Sequence, residues 1–104
     1  MSYLPTIAEL IDEAKFKGHL KSDYALAKVL LVSKSTVSNW QNGVAAPDDA
    51  QCLNLAFLCD LEPAYVLALV QANRQKYSPA CHVWRQIFEA VYWRVCADNG
   101  KRVL

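Results

Sequence analysis

Glycine and proline are scarce in this 104-residue chain, at 3 and 4 residues. A β-rich fold spends such residues on its many turns, so their scarcity argues for helices. No run of 18 uncharged apolar residues occurs, and no membrane span is expected. The first apolar stretch is broken by Pro5, Glu9 and Asp12, which excludes a signal-peptide core there. A cytoplasmic location is the expectation. The four cysteines, Cys52, Cys59, Cys81 and Cys96, form no C-x-x-C pair, and no histidine stands at ligand spacing from them. No metal site and no cofactor are expected. Without an export signal, disulfides are not expected either, and all four thiols are read as small buried apolar side chains. Neither His19 nor His82 has a sequence-adjacent acid or nucleophile pattern that suggests catalysis. Cys81 and His82 are neighbours, but adjacent helical side chains diverge by ~100°. The chain is therefore not read as an enzyme.

Charge of one sign is also lacking: the formal net charge is +1. Its distribution is uneven. Glu9, Asp12 and Glu13 make the first fourteen residues acidic. Residues 15–41 carry Lys15, Lys17, Lys21, Lys28 and Lys34 against Asp23 alone, and the remainder is balanced. Positive charge is concentrated where contacts to phosphate would be useful if residues 22–43 meet nucleic acid.

Apolar residues are plentiful, at 54%, against 20% charged. A chain of this size buries roughly two-thirds of its unfolded surface, enough for one core. The apolar spacing predicts an all-α bundle of five to six helices. The first helix spans about 6–17, with Thr6 and Glu9 in the capping-box pattern, Ile7, Leu10, Ile11 and Ala14 on one face, and Gly18 at its end. The second spans about 23–30 with Ser22 as N-cap. The third opens at Ser33 or Lys34 and ends at Asn42-Gly43. Pro47 leads into a fourth helix, about 48–59, whose stripe is Cys52, Leu53, Ala56, Phe57 and Leu58. A fifth, about 62–75, is apolar on more than one side. A long sixth helix begins near Ser78-Pro79 and reaches about residue 97. Its apolar face is Val83, Trp84, Ile87, Phe88, Val91, Tyr92 and Val95, with Trp93 off it.

The stretch 22–43, SDYALAKVLLVSKSTVSNWQNG, is the most informative. Its second helix surrounds two apolar anchors, Val37 and Trp40, with Lys34, Ser35, Thr36, Ser38, Asn39, Gln41 and Asn42. Such a helix offers hydrogen-bonding groups outward, as a helix in the DNA major groove must.

Leu26-Ala27, Val32-Ser33, Ser35-Thr36-Val37-Ser38 and Trp40-x-Asn42-Gly43, followed by Pro47 and an apolar helix, resemble the helix-turn-helix of phage repressor and Cro type regulators. The resemblance covers about residues 6–70. It departs at the turn, where the family commonly has Gly and this chain has Leu31, expected here in an ordinary right-handed conformation. The resemblance implies a small repressor of phage or mobile-element origin that binds double-stranded DNA as a homodimer on a palindromic operator. Lys34, Ser35, Thr36, Ser38 and Asn39 would meet base edges or nearby phosphates. Asn39 has the amide that can pair twice with adenine. Lys21, Ser22, Gln41 and Asn42 would hold phosphates.

On this reading residues 1–72 form the DNA-binding domain. Residues 73–104 form a C-terminal helical extension that completes the core and supplies the dimer contact through Trp84, Phe88, Tyr92 and Trp93. No sensor is visible, so control would come from concentration, competition or a protein antagonist. The alternative is a protein-binding module, of antitoxin or anti-repressor type, that uses the sixth helix.

Overall fold

The computed structural model describes residues 3–75, 77–97 and 103–104, and the described residues contain helices and connections without a strand. The helices are α1 (Ile7–Lys17), α2 (Asp23–Leu30), α3 (Lys34–Gln41), α4 (Asp49–Cys59), α5 (Pro63–Arg74) and α6 (Cys81–Ala97). The all-α bundle expected from the sequence is what forms.

Side-chain caps set where the first four helices begin. Thr6 Oγ1 accepts from the Glu9 N–H at 3.1 Å while the Glu9 carboxylate accepts from the Thr6 N–H at 3.3 Å, the reciprocal capping box. Ser22, Ser33 and Asp48 each accept from the N–H three residues on, at 3.1, 3.1 and 2.9 Å. Asp48 is thus the cap of α4, not its first residue. Pro63 opens α5 with no side-chain cap.

Four helix ends share one construction. The N–H of Leu20, Val32, Val44 and Leu61 reaches back five residues to the carbonyl of Lys15, Ala27, Asn39 and Ala56. The residue before each, His19, Leu31, Gly43 and Asp60, is left-handed, with φ of 56, 59, 76 and 57°. This is the Schellman exit, which satisfies otherwise orphaned carbonyls. Leu31 is therefore left-handed, not right-handed as expected. Gly18 is right-handed at φ −84° and leaves the left-handed position to His19. Its value is space: a Cβ there would lie 3.0 Å from the Ala14 carbonyl and 3.1 Å from the methyls of Leu20 and Leu58.

The core runs through α5, whose Tyr65, Val66, Ala68, Leu69, Val70 and Ala72 are all buried. α5 packs against α1, α4 and α6, while α1 touches each of α2 to α5. Asn73 Nδ2 ties the entry segment down by donating to the Pro5 and Leu69 carbonyls at 2.9 Å each. α5 runs past residue 72 to Arg74, so the expected division between domain and extension falls inside a helix.

Three expectations about the core need correction. On α4 the buried set is Cys52, Leu55, Ala56 and Cys59, the true i, i+3, i+4, i+7 face. Leu53 and Phe57 lie on its flank, and Phe57 is 91% exposed. On α6 only Phe88 and Val95 are buried, because α5 is the one helix that covers it among the described elements. Trp84, Val91 and Tyr92 pack at its margin, and Val83 and Ile87 face outward. The cysteines divide accordingly: Cys52 and Cys59 are buried, Cys81 is half-buried and Cys96 is exposed. Burial, with Asp49 and Asp48 nearby, pushes the Cys52 thiol up to about 11.

Candidate functional site

Two anchors hold α3. Val37 and Trp40 are its buried residues, and they fix it against α2 and α1. The three-residue connection Leu31-Val32-Ser33 turns the chain. Val32 donates its N–H to the Ala27 carbonyl at 3.0 Å and packs against the core, and Ser33 caps the new helix. With two anchors inward, the rest of α3 is left to other uses.

Lys34, Ser35 and Asn39 are exposed, and no hydrogen bond or ion pair engages their side chains among the described residues. Thr36 and Ser38 are half-buried. The Thr36 hydroxyl lies 2.9 Å from that of Ser33, and Ser38 Oγ accepts from Asn42 Nδ2 at 3.4 Å. These contacts steady both ends of α3 while leaving its outer face to Lys34, Ser35 and Asn39. Lys21 and Ser22 are exposed at the start of α2, where unpaired N–H groups and the helix dipole favour an anion.

Gln41 does not join this face. It is half-buried and turned toward α1, with Nε2 donating to Asp12 Oδ1 at 3.4 Å. Its role as an outward phosphate contact is withdrawn, because its amide is engaged by Asp12 on α1. Lys15 is likewise engaged. Its ammonium donates to Asp23 at 2.9 Å and lies 3.7 Å from Asp12, and the Asp23 contact raises its pKa. Lys28 lies 5.5 Å from the centre of the Tyr24 ring. Of the five lysines in 15–41, Lys21 and Lys34 are the exposed, unpaired pair nearest α3 in sequence.

Sequence reasoning missed Gln51. Thr36 and Asn39 line a cleft of about 310 Å³ whose far side is Asp48 and Gln51, with Val32, Trp40, Ala45 and Ala46 between. The Gln51 side-chain oxygen is buried there without a partner among the described residues. The signal was present as Asp48-x-x-Gln51, the capping-box spacing, which places Gln51 in the first turn of α4 beside α3.

The four expected dimer residues separate. Phe88 is 2% exposed, its ring centre 5.4 Å from that of Tyr65, so it belongs to the core and is withdrawn as an interface residue. Trp84 and Tyr92 are half-buried, and Tyr92 meets Trp93 edge-on at 5.1 Å. Trp93 is exposed at 57%. No family model, no curated protein and no solved structure matches this chain.

Proposed function

We propose that this protein is a sequence-specific DNA-binding transcriptional regulator of the phage repressor and Cro type, a dimeric repressor that occupies a palindromic operator and blocks polymerase. The observation that carries the reading is α3 itself. It is a short capped helix with two buried anchors and an outer face of Lys34, Ser35 and Asn39 whose side chains have no partner within the described chain. Small polar residues on that face match base edges in the major groove. The start of α2, with Lys21 and Ser22, supplies the phosphate contact that sets register.

Asn39 carries the base reading, because its amide can donate to and accept from adenine at once. Asn39→Ala weakens binding to the selected site by ~1–3 kcal/mol and leaves binding to random duplex nearly unchanged. Titration of both duplexes at one fixed salt concentration checks this. Equal loss on the two would show that Asn39 reads no base.

A further inference from the structure

Of the four helix ends that reach back five residues, three set an apolar side chain against the core: Leu20, Val32 and Leu61. Such an exit ordinarily carries an apolar contact of this kind. The fourth differs. Val44 makes the same bond, its N–H to the Asn39 carbonyl at 2.9 Å, yet it is 74% exposed and does not join the core cluster. It lines a cleft of about 700 Å³ instead.

The cleft lies where the first turn of α1, the exit of α3 and the end of α5 meet. Its volume is that of an ordinary small-molecule site, ~300–1,000 Å³. Ile7 and Trp40, both buried, form part of its wall. Tyr77, 91% exposed, adds an aromatic ring beside the open Val44. Arg74 is the one charged residue that lines it among the described residues. Arg74 is exposed, and no hydrogen bond or ion pair engages its guanidinium among the described residues. The acids of α1 are occupied elsewhere. Glu9 accepts from Thr6 and Tyr3, and Asp12 is held by Lys15 and Gln41. The first turn of α1 adds the positive end of a helix dipole to a site that Arg74 already makes electropositive.

We infer that this cleft binds a small organic acid, its carboxylate paired with the Arg74 guanidinium and its flat apolar body set against Val44 and Tyr77. The planar fork of arginine matches a carboxylate with two parallel hydrogen bonds. A neutral apolar molecule would leave the guanidinium without a counter-charge. A polyanion would find a single cation and an apolar wall. A monoacid with an apolar body uses both halves of the site. The inference goes beyond the proposed regulator and does not depend on it. The two meet at Trp40, which lines the cleft and is also one of the two anchors of α3.

The test is a titration of the isotope-labelled full chain with phenylacetate, followed by amide NMR at fixed ionic strength. The amides of Ala8, Val44, Ala45 and Ala46 and the Trp40 indole N–H shift together and saturate, with a Kd of about 1 mM or below, ordinary for so small a ligand. Phenylacetamide, the same body without the charge, binds about tenfold more weakly, the loss expected for one charge-assisted pair. Arg74→Gln weakens phenylacetate by a similar factor and leaves phenylacetamide unchanged. The side chain is exposed, so this variant stays folded, as resonances away from the cleft confirm. Val44→Asp sets a like charge in the apolar wall and abolishes phenylacetate binding.

No saturable shift up to about 10 mM would overturn the inference. Shifts confined to other residues, equal binding of acid and amide, or undiminished phenylacetate binding by Arg74→Gln would do the same. If phenylacetate does not bind while Arg74→Gln weakens binding to random duplex, the small-ligand site is overturned and Arg74 becomes a phosphate contact. Phenylacetate binding as described, with no operator bound, would uphold the cleft and remove the DNA reading alone.

Discussion

Leu31 holds a left-handed backbone, φ 59° and ψ 40°, with its side chain 90% exposed. For a residue with a Cβ that conformation costs roughly 1–2 kcal/mol. Glycine would remove the strain but would cost about 0.5–1 kcal/mol in added freedom of the unfolded chain. Little burial would be lost. Leu31→Gly should therefore raise stability by about 0.5–1 kcal/mol, read as a higher urea midpoint at unchanged slope. A lower midpoint would mean that Leu31 contributes packing its exposure conceals. The same residue marks a limit of reading from sequence. Gly43 announced its left-handed exit, but His19, Leu31 and Asp60 did not. Their signal lies one position on, in Leu20, Val32 and Leu61, apolar residues that tuck into the core and draw the chain through the turn. A glycine rule sees one such end in four. Threonine and serine at N-caps were more legible, because there the capping side chain is itself the cause.

At the scale of elements, α3 was readable and α6 was half readable. Val37 and Trp40 stood alone among polar residues, so their inward direction followed from spacing. Seven apolar residues on α6 spanned too much of the circumference to be covered by one neighbour. Which of them go in depends on where α5 lies, and that is a tertiary fact. Phe88 and Val95 go in, and Val83 and Ile87 stay out. Phe88 is the bolt between the two helices through its contact with Tyr65, so Phe88→Ala should cost about 3–5 kcal/mol in unfolding free energy. A loss under 1 kcal/mol would show that α6 adds little to the core. Gln41 shows the opposite limit: its type and position suited a phosphate contact, and only the packing of α3 against α1 shows that it points to Asp12.

Over the whole molecule, the radius of gyration of 13.3 Å is that of a compact domain of about 100 residues. α3 packs on α1 and α2, whereas α6 packs on α5 alone among the described elements, so the proposed reading face and α6 are carried by separate parts of one core. Net charge was a poor guide at this scale, because Lys15 is engaged by Asp23 and the useful cations are few. On the proposed reading, few phosphate contacts predict a gentler salt dependence than a strongly basic protein shows, yet a measurable one. The most direct test is footprinting of the purified protein on the DNA upstream of its own gene across a salt series. A protected palindromic site, with half-sites about 34 Å apart and affinity that falls as salt rises, is the predicted result. No protection at low salt would contradict the account.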